Sequence, residues 1–278
     1  MMLVIKNRSF KEITSFRIGG KIRNLYVPVT IEDLKHVFSM LKDTTFYLIG
    51  AGTNILASEQ EFQHVVTMKM FNKTLKFHGN HLIAYAGNTT RRVAIECAKH
   101  SLSGFEFLID VPGLIGGAIV MNAGCFGREV SQMLEEITFL TVDGEIQPIT
   151  DFHFKRRYCD VQERKGAIIA GKFKLQERRK AEIETTMQEY TKYRRNNQPL
   201  RYPSAGGIFK NYKLLPKILP FLKNSRIGDA EICMSAPNWI LNKGKATSTD
   251  VMQLICNLQT LAKEKLNENL ELEIKVLP

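Results

Sequence analysis

Residues 111–124 constrain the fold of this chain more than any other segment, because they carry almost no side-chain bulk. The run VPGLIGGAIVMNAG contains four glycines, two alanines and a proline. Glycine allows a main chain to approach another group closely, so either a large ligand or a tightly packed helix lies against this backbone. Gly116 and Gly117 precede an apolar run, which predicts a helix N-terminus directed at an anion. The following Asn122-Ala123-Gly124 predicts a second close approach.

A second small-residue turn, with the sequence GAGTNIL, follows an apolar strand predicted over residues 46–49. Gly50 and Gly52 expose main-chain N–H groups, and Thr53-Asn54 adds side-chain donors. An anion cradle and a tight structural turn explain this pattern equally well. Ile55 stands where a G-x-G-x-x-G sequence has its third glycine, so an ordinary Rossmann site is not indicated. A flavin dinucleotide would suit both segments, with its diphosphate on the N–H groups and its flat ring against the small residues.

Composition limits the class of protein. The chain has 278 residues, of which 44% are hydrophobic and 24% charged, and this composition excludes wholesale disorder. Its formal net charge of +11 favours anionic partners, which include nucleic acid, anionic lipid and phosphorylated small molecules. No aromatic–basic motif of a nucleic-acid binder is present, so we expect no nucleic-acid partner. Five cysteines without a C-x-x-C pair argue against a disulfide scaffold and a zinc site, and we expect no metal.

The sequence also predicts where the protein is found. No stretch approaches the roughly 18–20 apolar residues that a membrane span needs, so we expect no membrane insertion. The N-terminal run MMLVIKNRSF turns polar after five residues, which is too early for a signal peptide. We therefore expect a cytoplasmic protein.

Changes of pattern divide the chain into three regions, 1–63, 64–175 and 176–278. Thr30 and Thr247 each precede a stretch of helical periodicity and have an aspartate three residues further on, which predicts two capped helices. Between these two helices, strand-like runs alternate with a helix predicted at about residues 90–100.

Three further segments carry predictions about the surface. The charged stretch 176–195 predicts a surface helix that buries Ile183, Met187 and Tyr190. The basic runs Lys155-Arg156-Arg157 and Arg194-Arg195 are typical of solvated faces. Strict alternation over residues 270–276 predicts a half-buried strand with Leu270, Leu272, Ile274 and Val276 on one face and Glu271, Glu273 and Lys275 on the other.

Short motifs follow one another in a fixed order from residue 15 to residue 274. They are SFRIGG from residue 15, GAGTNIL from 50, GFEF from 104, PGLIGGA from 112, MNAG from 121, QPL from 198, PSAG from 203, FKN from 209, IG from 227, NKG from 242, AT from 246 and LELEI from 270. This ordered set resembles the UDP-N-acetylenolpyruvoylglucosamine reductase family, in its shorter form.

The resemblance implies a fold class and a reaction. The fold is α+β, with a two-subdomain FAD-binding fold of the vanillyl-alcohol-oxidase (PCMH) type followed by an α+β substrate domain. FAD lies between the subdomains formed by residues 1–63 and 64–175, and the substrate domain covers residues 176–278. The reaction is the reduction of UDP-N-acetylglucosamine enolpyruvate to UDP-N-acetylmuramate for peptidoglycan synthesis, and hence for cell shape and division. FAD is the implied cofactor and NADPH the co-substrate, and the positive net charge suits these polyanions. We expect a monomer.

The resemblance also implies roles for individual residues. Arg157 matches the catalytic arginine, and Glu273 matches the catalytic glutamate near the C-terminus. Lys210, Asn211 and Ser204 fall where the family contacts substrate. The implied cofactor-binding residues are Gly50, Ala51, Gly52, Thr53, Asn54, Ile55, Pro112, Gly113, Gly116, Gly117, Asn122, Ala123 and Gly124.

Departures from the family pattern concern the final protonation step. Gly207 stands where the family has a proton-donating serine or cysteine, and it has no side chain to give a proton. The Tyr-Arg-x-Ser element is RRYC from residue 156, and the His-Ala-Asn-Phe element is APNW from residue 236. We hypothesise that a water in the space left by Gly207, or the hydroxyl of Ser204, delivers the proton. The alternative is a relative that binds FAD or the UDP sugar with weakened catalysis.

Overall fold

The computed structural model describes residues 2–278, which divide into two compact units. Unit 1 comprises residues 2–6, Asn24–Ala51 and Gln63–Arg194, and unit 2 comprises Asn7–Arg23, Gly52–Phe62 and Arg195–Pro278. The chain passes from one unit to the other inside the GAGTNIL turn. The division into residues 1–63, 64–175 and 176–278 stays a prediction.

The chain contains helices and short strands throughout. The helices are α1 (Phe10–Ile13), α2 (Ile31–Met40), α3 (Thr90–Lys99), α4 (Ile115–Val120), α5 (Lys180–Asn197), α6 (Leu215–Ile218) and α7 (Ser248–Leu266). The strands are β1 (Leu3–Ser9), β2 (Lys21–Val27), β3 (Tyr47–Ile49), β4 (Ile55–Ala57), β5 (Phe62–Thr67), β6 (Leu75–His78), β7 (His81–Tyr85), β8 (Leu102–Ser103), β9 (Gly124–Cys125), β10 (Arg128–Glu129), β11 (Leu134–Thr141), β12 (Ile146–Ile149), β13 (Phe154–Lys155), β14 (Tyr158–Cys159), β15 (Gly166–Lys174), β16 (Gln176–Glu177), β17 (Arg226–Ile227), β18 (Ala230–Ile232), β19 (Ile240–Asn242) and β20 (Lys275–Leu277).

Unit 1 is built on a five-stranded antiparallel sheet with the strand order β12-β11-β15-β7-β6. The short helix α4 packs on β15 and β7 of this sheet. Apolar side chains from both layers, including Leu82, Ile119 and Ile137, are fully buried between them. A second sheet has the order β1-β2-β5-β3, in which β3 and β5 run parallel. The sheet and α4 together fix where the glycine-rich loop leaves the helix.

The predicted capped helix after Thr30 is confirmed. Thr30 Oγ1 accepts a hydrogen bond from the Asp33 N–H at 3.0 Å, and the Asp33 carboxylate accepts one from the Thr30 N–H at 3.1 Å. Helix α2 then buries Leu34, Val37 and Phe38 on one face. The spacing of these apolar residues and the capping box indicate the same first residue for the helix. The sequence pattern was therefore sufficient to predict where α2 begins.

Unit 2 surrounds the long helix α7. The three-stranded antiparallel sheet β17-β18-β19 and the short helix α6 pack against it. The apolar stripe at helical spacing after Thr247 is fully buried at Val251, Leu254, Ile255 and Leu258 and half-buried at Leu261. The left-handed Asn267, at φ 53°, ends the helix after Leu266.

The prediction of one continuous strand over residues 270–276 is wrong. Only Lys275–Leu277 forms a strand, β20, which pairs in parallel with β4. Upstream, Leu272 makes an isolated bridge with Phe209. Because the segment pairs with two different partners it bends between them, and Val276 is 42% exposed while Leu270 is 3% exposed. Among residues 2–278, no helix combines the length and apolar character needed to cross a bilayer.

The capping box of α7 generates a stability prediction. Thr247 Oγ1 accepts from the Asp250 N–H at 3.1 Å, and the Asp250 carboxylate accepts from the Thr247 N–H at 2.9 Å. We expect Thr247→Ala to lower the free energy of unfolding by about 1 kcal/mol, because one helix N–H loses its acceptor. The measurement is urea unfolding. Thr247→Ser keeps the hydroxyl and is the control; equal losses in both variants would contradict the cap's role.

Candidate functional site

The loop after α4 is held by the side chain of Asn122. Asn122 is 1% exposed and has a left-handed φ of 39°. Its Nδ2 donates to Glu129 Oε2 at 2.9 Å and to the Lys155 carbonyl at 3.2 Å, while its Oδ1 accepts from the Ser131 N–H at 3.0 Å. Its side chain therefore takes its hydrogen-bond partners from the protein and sets the path of the loop.

Arg157 extends into this loop from the turn between β13 and β14. It has φ 55°, in the left-handed region that side chains rarely adopt. Its Nη2 donates to the Gly124 carbonyl at 2.7 Å, and its Nη1 donates to the Asn122 carbonyl at 3.3 Å and to Glu129 Oε1 at 3.4 Å. The side chain is 14% exposed. A guanidinium is thus fixed at the end of the glycine-rich segment.

Gly124 allows this approach because it has no side chain. A Cβ at this position would lie 2.9 Å from Arg157 Nη1 and 2.6 Å from the Arg128 carbonyl oxygen. Both distances are shorter than a normal carbon contact. The glycine is therefore required first by the backbone of the paired strand β10 and then by the position of Arg157.

The two glycines at the start of α4 differ in their surroundings. A Cβ on Gly116 would lie 3.1 Å from the Ala86 Cβ, whereas a Cβ on Gly117 would meet nothing within 4 Å. The N–H groups of Ile115 and Gly116 donate to the carbonyls of Asn88 and Ala86 at 2.9 and 3.2 Å. The Gly116 N–H is thus paired within the protein, and the expectation that Gly116 and Gly117 direct a helix N-terminus at an anion stays a prediction. Gly116 packs closely against Ala86, and the backbone of Gly117 faces open space.

The flanking residues of the segment are tied to their neighbours. The Gly113 carbonyl accepts from the Thr90 N–H at 3.2 Å, and the Ala123 carbonyl accepts from the Val130 N–H at 3.0 Å. Pro112 is exposed. These contacts hold both ends of the segment within unit 1.

The GAGTNIL turn contains one open and one tightly packed glycine. A Cβ on Gly50 would meet nothing within 4 Å. Gly52 has φ 72°, a Cβ there would lie 2.6 Å from the Ile13 carbonyl oxygen, and its own carbonyl accepts from the Ser15 N–H at 3.0 Å. Ser15 Oγ also donates to the Ser204 carbonyl at 2.7 Å. Gly52 therefore serves the packing of unit 2, with Ala51 half-buried before it.

Glu273 is fixed through its main chain. Asn54 Nδ2 donates to the Glu273 carbonyl at 3.0 Å, and the Glu273 N–H donates to the Ile208 carbonyl at 2.8 Å. Thr53 is half-buried, and Ile55 begins β4. The amide of Asn54, predicted to face a cofactor, thus donates to the chain that carries Glu273.

The side chain of Asn238 lies beside Gly207. Asn238 Oδ1 accepts from the Phe209 N–H at 2.8 Å, and its Nδ2 donates to the Phe209 carbonyl at 3.0 Å. A Cβ on Gly207 would lie 2.7 Å from Asn238 Nδ2 and 3.8 Å from Glu273 Oε2. The space left by the missing side chain is filled by this amide, which argues against the hypothesis of a water in that space.

Lys210 and Asn211 lie on the same segment as Gly207. The Lys210 N–H donates to the Glu271 carbonyl at 2.8 Å, and Lys210 Nζ lies 3.8 Å from Glu271 Oε2. Asn211 Oδ1 accepts from the Glu271 N–H at 3.0 Å, and its Nδ2 donates to the Asn269 carbonyl at 2.7 Å. Unit 2 thus brings Lys210 and Asn211 next to the chain that leads to Glu273.

The sequence did not single out Glu129 or the burial of Arg194. Glu129 contacts both Asn122 and Arg157, and its only signal was a carboxylate soon after the glycine-rich run. Arg194 is 5% exposed, so its interpretation as part of a solvated basic face is wrong. It follows Ile183, Met187 and Tyr190 at helical spacing, and this stripe was the available signal.

Comparisons with known proteins agree over the whole chain. The family model for an FAD binding domain matches residues 23–150, and the model for the UDP-N-acetylenolpyruvoylglucosamine reductase C-terminal domain matches residues 198–277. A protein of Syntrophomonas wolfei with that enzyme's name is 34% identical, over 98% of this chain and 94% of its own. The chain belongs to the UDP-N-acetylenolpyruvoylglucosamine reductase family.

Further relatives support this membership. The family's protein from Thermotoga maritima is 31% identical, over 95% of each chain. The crystal structure of the reductase from Thermus caldophilus is 29% identical and has a TM-score of 0.83, with 100% of both chains covered. The predicted α+β fold, an FAD-binding fold followed by this family's C-terminal domain, is confirmed.

The surroundings of two glycines give opposite predictions for the same substitution. We expect Gly124→Ala to lower the free energy of unfolding by about 1–3 kcal/mol, because its Cβ would collide with the Arg128 carbonyl of β10 and displace Arg157. Gly117→Ala is the matched control, and we expect it to leave this free energy unchanged or raise it by up to about 1 kcal/mol, since alanine favours a helix. Chemical unfolding followed by circular dichroism measures both. Equal changes in the free energy of unfolding for the two variants would contradict the difference between a crowded Gly124 and an open Gly117.

Proposed function

We propose that this protein reduces UDP-N-acetylglucosamine enolpyruvate to UDP-N-acetylmuramate, with FAD as cofactor and NADPH as the source of electrons. Relatives with this activity in their name match nearly the whole chain. The observation that carries the proposal is Arg157, whose guanidinium is fixed at the end of the glycine-rich segment. We further propose that the reaction takes place in the cytoplasm, serves peptidoglycan synthesis and so cell shape and division, and needs one copy of the chain.

The glycine-rich segment of unit 1 fits a large flat ligand. The backbone at Gly50 and Gly117 faces open space, which a Cβ would enter without a contact. We propose that Gly50, Ala51, Pro112, Gly113, Gly117, Ala123 and Gly124 hold FAD, chiefly through their main chain. When bound, FAD supplies the hydride that adds to the enolpyruvyl double bond. Gly52, Thr53, Asn54, Ile55, Gly116 and Asn122 stay predicted cofactor residues, although Gly52, Asn54, Gly116 and Asn122 have the packing and hydrogen-bonding roles described above.

Arg157 would stabilise the charge that develops on the substrate. As the hydride arrives, negative charge moves onto the substrate carboxylate. A fixed cation lowers such a barrier because it does not need to reorient during the reaction. The contacts to the carbonyls of Asn122 and Gly124 orient the planar fork, which lysine could not reproduce.

Unit 2 supplies the second group of proposed residues. Glu273 is proposed as a catalytic residue, and the hydrogen bonds on both sides of its peptide unit would keep its carboxyl group in position. Lys210, Asn211 and Ser204 are proposed to bind substrate. A lysine beside the segment that carries Glu273 suits the diphosphate of a UDP sugar.

The alternative is a relative that binds FAD or the UDP sugar without efficient catalysis, because Gly207 offers no proton. Mixing the reduced flavoprotein with UDP-N-acetylglucosamine enolpyruvate in a single turnover separates the two. Fast reoxidation supports the enzyme. If the protein is yellow and binds the sugar but its flavin stays reduced, the alternative is correct.

A substitution tests the proposed role of Arg157. We expect Arg157→Lys to lower kcat by about 10²- to 10³-fold, because the oriented donors are lost. NADPH oxidation in the presence of UDP-N-acetylglucosamine enolpyruvate measures the rate. Arg156→Lys, in the same turn and exposed, is the control and keeps its rate. Similar rates for the two variants would contradict the assignment.

A second substitution tests the proposed position of the cofactor. We expect Gly117→Leu to weaken FAD binding at least about tenfold, because its side chain would enter the open space beside α4. Titration of the protein with FAD, followed by flavin fluorescence, measures the affinity. Ala181→Leu, on the exposed face of α5, is the control for a new leucine in a helix. Unchanged FAD affinity in Gly117→Leu would place the cofactor elsewhere.

A further inference from the structure

The first part of unit 2 after α5 carries positive charge only. Residues 195–228 contain seven lysines and arginines and no aspartate or glutamate. Because the formal net charge of the whole chain is +11, this segment holds more than half of the excess. Charge of one sign in one stretch raises the local potential and attracts anions. The seven residues are Arg195, Arg201, Lys210, Lys213, Lys217, Lys223 and Arg226.

The middle of this segment folds as three consecutive helical turns. A 3₁₀ turn over Tyr212–Leu214 leads into α6, and a second 3₁₀ turn over Leu219–Phe221 follows it. Helix α6 packs on α7 and buries Leu215 and Ile218 in the core of unit 2. One side of the three turns is therefore anchored to the protein, and the other side faces solvent.

Four lysines and one aromatic ring form the exposed side, which we call the lysine patch: Lys213, Lys217, Phe221, Lys223 and Lys265. The first three recur every four residues, as on one face of a helix. Phe221 is 50% exposed, and Lys265 Nζ, from the last turn of α7, lies 5.0 Å from the centroid of its ring. All four lysines are exposed, and among residues 2–278 none of them forms an ion pair.

The chemistry of the lysine patch matches the surface of an anionic bilayer. Ammonium groups attract the phosphates of lipid headgroups, and an exposed phenylalanine ring enters the boundary between headgroups and acyl chains. Lysine stems lie along apolar surface while their charged ends extend into water. Nucleic-acid recognition favours arginine, whose planar guanidinium forms paired hydrogen bonds, but the patch has lysine at all four positions. These features favour lipid over nucleic acid.

We propose that the lysine patch binds the surface of bilayers rich in anionic phospholipid. The binding is peripheral and reversible, because it uses a few charges and one ring and inserts no helix. It does not depend on the function proposed above. None of the five residues is among the proposed catalytic, cofactor-binding or substrate-binding residues, so their replacement is expected to leave turnover unchanged.

The test is co-sedimentation of the full chain with sucrose-loaded vesicles. Vesicles of phosphatidylcholine alone are compared with vesicles that contain about one third phosphatidylglycerol, at about 50 mM and about 500 mM NaCl. We expect the chain to sediment with the anionic vesicles at the lower salt concentration. We expect it to stay in the supernatant at the higher concentration, because salt screens the attraction, and with phosphatidylcholine alone.

A triple variant tests whether the lysines cause this binding. Each lysine near an anionic surface strengthens binding about fivefold, so we expect removal of three to weaken it at least about tenfold. The control removes the same charge from exposed lysines of unit 1 and is expected to bind within about threefold of the parent chain. The test variant combines Lys213→Gln, Lys217→Gln and Lys223→Gln, and the control combines Lys73→Gln, Lys76→Gln and Lys174→Gln.

A single substitution tests the aromatic ring separately from charge. We expect Phe221→Ser to weaken binding to the anionic vesicles at least about threefold, because the ring no longer leaves water. Met40→Ser is the control, since Met40 is a similarly exposed apolar residue at the end of α2. Far-UV circular dichroism shows that each variant keeps the helix content of the parent chain.

The outcomes separate this inference from its competitors. If the parent chain does not bind anionic vesicles, or binds neutral and anionic vesicles equally, the inference is overturned. If the lysine variant binds as well as its control, another surface is responsible and the inference is also overturned. A parent chain that shifts a single-stranded oligonucleotide in a gel but ignores vesicles would make nucleic acid the partner. Loss of binding in the lysine variant, with turnover and helix content kept, supports the proposal.

Discussion

Hydrogen bonds from the Arg157 guanidinium to the carbonyl oxygens of Asn122 and Gly124 are the interaction on which the site of unit 1 depends. They form where the chain leaves α4 in a left-handed conformation at Asn122 and where residue 124 has no side chain. The buried amide of Asn122 supplies the first condition, since it donates to the Glu129 carboxylate of β10 and to the Lys155 carbonyl of β13. A cation that is expensive to desolvate is thus compensated mainly by backbone dipoles, with Glu129 as the nearby carboxylate.

Unit 2 uses the same principle for Glu273. An asparagine amide, Asn54, donates to its carbonyl, and the Ile208 carbonyl accepts from its N–H. A second amide, Asn238, binds both main-chain groups of Phe209. Side-chain amides can replace a neighbouring strand because each carries a donor and an acceptor, as a peptide unit does. Segments without a regular sheet partner are fixed in this way.

Much of the fold and part of the candidate site were predictable from sequence. Helices α2 and α7 carry capping boxes and apolar stripes that agree with each other, so local chemistry decided their starts. The prediction of one strand over residues 270–276 was wrong because alternation of apolar and polar residues does not specify which strand the segment pairs with. The segment pairs with Phe209 at Leu272 and with β4 from Lys275 onward. The prediction that Arg194 is exposed to solvent was wrong because it was based on charge alone. Its helical spacing from Ile183, Met187 and Tyr190 indicated burial and was the stronger signal.

The residues alone were enough to establish low side-chain bulk at two segments, the ordered motifs of the family and the absence of a side chain at residue 207, since these are properties of composition and order. Only the folded chain distinguished the glycines that face open space, Gly50 and Gly117, from those that serve packing, Gly52, Gly116 and Gly124. It also brought Asn122, Glu129 and Arg157 together from separate elements. The physical reason is that a glycine permits a close approach without naming the group that approaches, and that group comes from a distant part of the chain.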